Sequence, residues 1–177
     1  MHIFLTGPRN IGKSTAIHRT LDILMAQGPL KLGGFFTWRG GAADPHVYLS
    51  PAEVGREHEI YRLAAYDAKS GGLNCDVAVF EQTGVKLLAQ SLGADLLIMD
   101  ELGFLESKAP AFRQAVATAL LSAAPVLGVL RLGDIPWLSE IKSNPQVILY
   151  EVNENNRDEL PQKLAARITA ILRPIFY

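Results

Sequence analysis

The stretch Gly7-Pro8-Arg9-Asn10-Ile11-Gly12-Lys13-Ser14-Thr15 follows directly on the short apolar run His2–Thr6. Glycine, four residues, then Gly-Lys-Ser is the spacing of a phosphate-binding loop, which works only between a buried strand and a helix. Both neighbours are written in the sequence. "HIFLT" reads as a buried strand, and Ile17, Leu21, Leu24 and Met25 recur at helical spacing behind the loop. Residues Gly7 through Thr15 are therefore the expected phosphate contacts. Gly7 and Gly12 let the backbone come close, and the helix start adds unpaired N–H donors and a positive dipole end. Lys13 can reach the outer phosphates, and the Ser14 hydroxyl can ligate Mg²⁺.

A chain of 177 residues, 49% apolar and 20% charged, can bury a core as a single domain over 1–177. Its net charge of −1 gives no electrostatic reason to expect nucleic acid or an anionic membrane as partner. The single cysteine, Cys75, excludes an intrachain disulfide and a cysteine zinc cluster. The first strand begins at about residue 2, so no leader is expected and a cytoplasmic location is. The run "AVATALLSAAPVLGVL" is too short to span a membrane comfortably and is divided by Pro125.

Along the chain, "GGFFTWRGG", "HVYLS" and "HEIYRLAAY" read as short strands, making residues 33–66 a β-rich, antiparallel excursion. From Asp76, a candidate N-cap, "VAVFEQTGVKLLAQSL" reads as a helix. Then "ADLLIM" is a buried strand, "APAFRQAVATALLSA" a helix, "PVLGVLR" a strand, "IPWLSEIKS" a short helix and "QVILYEV" a strand. "NENNRDELPQKLAARITAIL" closes the chain as a helix. This alternation predicts an α/β fold: a largely parallel, doubly wound sheet with helices on both faces. The loop then sits at the C-terminal edge of the strands, where such sheets bind ligands.

"LLIMDELG" supplies a second half for the site. Four apolar residues deliver Asp100 and Glu101 at a strand end. Asp100 can hold Mg²⁺ opposite Ser14, and Glu101 can orient or deprotonate a water.

At this point the chain resembles the P-loop nucleoside-triphosphatase family first described from thermophiles, whose human member is the cancer-related nucleoside-triphosphatase. The residues that carry the resemblance are "FLTGPRNIGKSTAIH", "GFFTWR", "CDVAVFEQ", "MDELGFLE" and "VNENNRDEL". The resemblance implies hydrolysis of nucleoside triphosphates to diphosphates, dependence on Mg²⁺ and little discrimination between bases. It also implies that Leu97, Ile98, Met99, Asp100, Glu101, Leu102, Gly103 and Phe104 lie beside the nucleotide, with Arg157 a further candidate from the late Asn156-Arg157 pair. Three departures stand out. Arg9-Asn10 replaces the usual Pro-Gly, Trp38 replaces a Glu, and the Gly/Arg-rich hairpin is poorly kept in "GGAADPHVYLSP".

Lys13 and Glu101 are thus the expected catalytic residues, Ser14 and Asp100 the expected metal ligands, and a nucleoside triphosphate the expected partner. Two alternatives use the same loop: a small nucleotide or nucleoside kinase, and a nucleotide-dependent binding switch with slow turnover. A kinase calls for an acceptor pocket and an Arg-bearing lid, and the sequence shows no Arg cluster. Arg131 and Arg39 could each approach phosphate or lie on the surface. Arg157 could instead pair with Glu154. Glu106 is expected to orient its neighbours. Trp38, Phe35 and Phe36 are expected in core or cleft wall, and Trp137 is open between these.

Overall fold

The computed structural model describes residues 1–41, 43–67 and 71–172. Strand β1 (His2–Thr6) is buried along its whole length and feeds the loop that leads into α1 (Lys13–Met25). Strands β2 (Leu32–Arg39), β3 (Val47–Pro51), β4 (Tyr61–Asp67) and β5 (Gly72–Cys75) follow. A π turn at Val79–Gly84 runs into α2 (Val85–Gln90). Next come β6 (Leu96–Leu102), a 3₁₀ turn at Leu105–Lys108 and α3 (Pro110–Ala119). Strand β7 (Val126–Leu130), α4 (Pro136–Lys142), β8 (Val147–Glu151) and α5 (Leu160–Leu172) end the described fold.

All strands join one eight-stranded sheet in the order β5-β4-β3-β2-β6-β7-β1-β8. The half running from β2 to β8 is parallel, and the half from β2 to β5 is antiparallel. Helices α1 and α5 cover one face, with Ile17, Leu21, Leu164 and Ile168 packed on Ile3, Leu5 and Ile98. Helices α2, α3 and α4 cover the other, with Leu87, Phe112 and Leu138 packed around Phe4, Phe35 and Met99. Burial on both faces explains why β1, β6 and β7 read as continuous apolar runs instead of alternating ones.

Three local expectations are corrected. The antiparallel excursion is longer than 33–66, because "GLNC" adds β5 alongside β4; the segment has no β-branched or aromatic residue to mark it. Strand β2 belongs to both halves, since Leu32–Phe36 pair in parallel with Leu96–Asp100 while Phe35–Arg39 pair antiparallel with β3. The last helix starts at Leu160 and not at residue 153. The asparagines stop it earlier. Asn153 Oδ1 accepts from the N–H groups of Asn155 and Asn156, Asn156 Oδ1 accepts from Asn153 N–H, and Asn156 Nδ2 donates to Glu151 O. These side chains compete with a helical ladder for the backbone.

Helix starts show how local chemistry is shared across the fold. Asp76 accepts from Ala78 N–H at 3.1 Å, as the sequence suggests for an N-cap. Helix α3 has no side-chain cap of its own. Glu81 supplies one from the π turn, accepting from Ala111 N–H at 2.9 Å and Phe112 N–H at 3.3 Å. Gly84 allows this contact, because a Cβ there would meet the Phe112 ring at 2.6 Å.

Strand β2 also depends on a glycine. Gly34 has φ +86, and a Cβ on it would run into the Ile98 carbonyl of β6. Gly34→Ala is expected to cost about 3 kcal/mol or more in urea unfolding, from a strained backbone plus a clash with main chain that cannot rotate away. Gly55 has φ +90 with open space around it. Gly55→Ala is expected to cost only about 1 kcal/mol, the conformational part alone. Equal losses for the two would show that the β2–β6 approach is not the tight one.

Candidate functional site

The loop between β1 and α1 is shaped by three residues with positive φ: Gly7 at 140, Asn10 at 61 and Gly12 at 107. A Cβ on Gly7 would stand 2.6 Å from the Val152 carbonyl oxygen, so the loop lies tightly against the end of β8. Gly12 is the helix N-cap and offers no side-chain bond, and the first turn of α1 holds no acidic residue. The first helical N–H groups are thus left without an intrahelical partner, which is the condition for anion binding at a helix start.

Lys13 is buried to 8% exposure. Its ammonium bridges the mouth of its own loop, donating to Gly7 O at 3.0 Å and Pro8 O at 2.7 Å. Burial lowers its pKa, opposed by the negative charges of Glu101 and Asp100. Asp100, at the end of β6, is 2% exposed. Its Oδ1 is buried without a hydrogen-bond partner. Burial raises its carboxyl to about 7, partly offset by the Ser14 hydroxyl, while Glu101 pushes it further up and Lys13 pulls it down. A buried carboxylate oxygen with no donor, next to a serine hydroxyl, is a hard-oxygen pair that fits a Mg²⁺ ion.

Glu101 points elsewhere than Asp100. The β6–β7 register shifts between Met99 and Leu102, and such a bulge re-aims the side chains it carries. Glu101 N–H donates to Thr37 Oγ1 at 3.0 Å, and its carboxylate lies 3.5 Å from the Arg131 guanidinium. Arg131 also stacks over the Phe104 ring at 4.7 Å. Gly103 is fixed from both sides: its N–H donates to Glu106 Oε2 at 2.9 Å, and its carbonyl accepts from Trp137 Nε1 at 2.8 Å. Glu106 is 2% exposed. Burial raises it to about 7 against the hydrogen bonds from its own and the Gly103 amide, with Glu101 raising and Arg131 lowering it.

Lys13, Ser14, Thr37, Asp100, Glu101, Gly103, Glu106 and Arg131 line one cleft of about 720 Å³, while Trp137 lies in the core behind it. Gly7, Pro8, Arg9, Asn10, Gly12, Lys13, Ser14 and Thr15 form its floor, and Asp100, Glu101, Gly103 and Phe104 its wall. Ile11 turns inward and packs beside Gly7. The segment expected beside the nucleotide therefore divides. Leu97, Ile98, Met99 and Leu102 spend their side chains on the core and do not line the cleft. Arg157 sits exposed in the 154–159 turns, outside the cleft lining. Its neighbour Asn156 is the one that ties this turn to β8.

A family model described as NTPase matches residues 2–165. The chain belongs to that NTPase family. It is 31% identical to the nucleoside-triphosphatase THEP1 of Methanosarcina barkeri, over 94% of this chain and 97% of the relative. It is likewise 31% identical to the nucleoside-triphosphatase THEP1 of Thermofilum pendens, over 97% of each chain. Among solved structures it resembles THEP1 from the hyperthermophile Aquifex aeolicus, with a TM-score of 0.78 at 20% identity, covering 95% of this chain and 99% of that one. A human cancer-related nucleoside triphosphatase matches with a TM-score of 0.78 at 23% identity, covering 96% and 97%.

Where this NTPase departs from the expected pattern, the structure gives the consequence. Asn10 takes the left-handed conformation a glycine would supply, so the loop closes without it. Trp38 stacks on Tyr48 at 4.6 Å and lines the cleft, while Phe35 lies in the core and Phe36 stacks on His18 at 4.8 Å. The expected absence of an Arg cluster is corrected: Arg9, Arg39 and Arg131 all line the cleft. They come from the loop, the end of β2 and the end of β7, so no sequence window holds two of them. Trp137 and Thr37 were not identifiable as site groups either, because each acts through the backbone of a distant residue.

The raised Asp100 carboxyl sets a pH dependence. The folded chain holds this proton when the unfolded chain has released it, so the metal-free protein loses stability as pH rises from about 4 to about 7. Asp100→Asn is expected to flatten that decline and raise the melting temperature of the metal-free protein at pH 8. Mg²⁺ is expected to stabilise the parent there and not the variant. A parent whose melting temperature ignores Mg²⁺ at pH 8 would remove Asp100 from the metal site.

Proposed function

We propose that this chain hydrolyses nucleoside triphosphates to diphosphates and phosphate. The observation that carries the reading is the convergence of Lys13, Ser14, Asp100 and Glu101 on one cleft floored by the phosphate loop. Family membership and relatives named nucleoside-triphosphatases support it.

The loop amides and the Lys13 ammonium hold the phosphate chain, with Lys13 leaving its two carbonyl partners for the outer phosphates. Mg²⁺ would be held by Ser14 and Asp100, where its charge would offset that of the β- and γ-phosphate oxygens. Glu101 orients the attacking water and takes its proton. Thr37 fixes its backbone, Arg131 sets the direction of its carboxylate, and the Gly103 clamp fixes the turn behind it. Catalysis of this kind is mostly positioning and electrostatics. The groups assigned here address phosphate and metal, so base preference should be weak. The second reading, phosphoryl transfer to a nucleotide or nucleoside, draws support from Arg9, Arg39 and Arg131 at the cleft.

A cytoplasmic setting agrees with the lone Cys75, whose thiol is free and pushed up to about 11 by burial. Among the described residues no helix is long and apolar enough to cross a membrane.

Phosphate release from each Mg²⁺·NTP tests the reading. Lys13→Ala should stay folded and lose most nucleotide affinity. Glu101→Gln should lower phosphate release by about 10²-fold while ATP affinity holds, so that uncleaved ATP is trapped. A folded Glu101→Gln protein that releases phosphate at the parental rate would end Glu101's role. Little free phosphate from the parent until a nucleoside or nucleotide is added would favour the transferase.

A further inference from the structure

The cleft is larger on one side of Glu101 than hydrolysis requires. In the triphosphatase reading, the phosphate chain would run along the loop after β1, with its terminal phosphate toward Lys13 and the Mg²⁺ that Ser14 and Asp100 would hold. In the sheet, β7 and β6 separate β1, which carries that loop, from β2, β3, β4 and β5. The cleft nevertheless continues past Glu101 to Val47, Leu63, Leu73 and Leu105. Val47 and Leu63 are buried, and Leu73 and Leu105 pack against the same core face. An attacking water needs about 30 Å³. An apolar recess built from three strands and a turn is more than a water uses.

The mouth of the recess is basic. Arg39 pairs with Val47 across β2 and β3, so the two side chains leave the sheet on the same face. Burial lowers the Arg39 pKa, and Arg9 and Arg131 are near enough to lower it further, against Glu101, which raises it. Among the described residues, the ion pair these three make is that of Arg131 with Glu101. Among the described residues, Arg9 and Arg39 thus face the cleft with no ion pair of their own. Apolar walls with convergent cations suit a ligand with a flat apolar body and an anionic group.

We propose that this recess is a second ligand site, for a phosphate monoester carrying a planar ring, with nucleoside monophosphates as the fitting class. The monoester's anion meets Arg39 and Arg9, and its ring enters between Val47, Leu63, Leu73 and Leu105. It binds together with the triphosphate and stands where the attacking water must stand, so it slows phosphate release without competing for the loop. The proposal rests on the triphosphatase reading above.

Calorimetric titration tests it with the Mg²⁺-loaded full chain, saturated beforehand with the β,γ-imido analogue of ATP. AMP, GMP, CMP and UMP are titrated in turn, then phenyl phosphate, adenosine and inorganic phosphate. One equivalent of monophosphate is expected to bind with the imido analogue still in place. Adenosine and inorganic phosphate should each bind at least about tenfold more weakly; equal binding of inorganic phosphate would leave no role for the recess and overturn the proposal. Phenyl phosphate binding as well as the nucleotides would support the site and broaden its class to ring phosphates. Phosphate release from ATP should fall at least about fivefold with saturating monophosphate, in a pattern not relieved by more ATP.

Arg39→Gln and the recess-filling Leu73→Phe should each weaken the monophosphate at least about tenfold. Their affinity for the imido analogue should stay within about twofold, which certifies that they fold. Displacement of the imido analogue by AMP, or no monophosphate binding to the saturated protein, overturns the second site and leaves the triphosphatase reading standing. Failure of the imido analogue itself to bind takes both down.

Discussion

The site is organised around one electrostatic constraint: a buried acid and a buried base that do not satisfy each other. Asp100 keeps an oxygen without a donor, and Lys13 spends its protons on the carbonyls of Gly7 and Pro8. A direct Lys13–Asp100 pair would neutralise both and close the cleft. Holding them apart keeps the carboxyl protonated up to about 7 and leaves the ammonium on weak, replaceable partners. Such an arrangement costs stability in the empty protein, and the proposed binding of nucleotide and Mg²⁺ would offset that cost. The glycines at 7 and 12 serve that separation, since they let the loop rise against Val152 and enter α1 without a side-chain cap.

Around this centre, support comes from backbone groups more than from side-chain pairs. Gly103 is gripped at its N–H by Glu106 and at its carbonyl by Trp137 of α4. Glu101 hangs from Thr37 by its N–H. The half-buried Arg131–Glu101 contact, at 3.5 Å, is too solvated to hold much by itself. It gains direction from the Phe104 ring beneath the guanidinium and from the closeness of Arg131 to Gly103, where a Cβ would stand 3.1 Å from Arg131 Cδ. Strand β2, the Arg131 that follows β7, and helix α4 therefore all hold the end of β6 that carries Glu101.

The parallel part of this fold was legible because its strands are buried on both faces, so "HIFLT", "ADLLIM" and "PVLGVLR" stand out as apolar runs. The loop and the Asp100-Glu101 pair were legible because each is contiguous and its chemistry demands fixed spacing. What could not be read is what depends on sheet order. Nothing in the sequence says that β7 lies between β1 and β6, or that β2 is shared by two kinds of pairing. The arginine cluster is invisible for the same reason: Arg9, Arg39 and Arg131 end three different elements. The helix expected from residue 153 failed on local grounds, because asparagine side chains outbid the backbone ladder there.

Shared pairing of β2 is also what gives the cleft its extent. The strand stays with β6 only to Phe36, opposite Asp100, and then runs on to Arg39 held by β3 alone. That overhang carries Thr37, Trp38 and Arg39 beyond the last residue that pairs with β6. Thr37 turns back to fix Glu101, Trp38 walls the cleft against Tyr48, and Arg39 sends charge over the recess. A sheet that ended squarely at Asp100 would present the terminal phosphate to bulk water. Here the antiparallel strands raise a wall on that side, so the path of the attacking group is bounded by protein. In the proposed reaction, the attacking group, water or another oxygen, would approach through a space whose outer side is lined by residues of β2 to β5 and not by the phosphate loop.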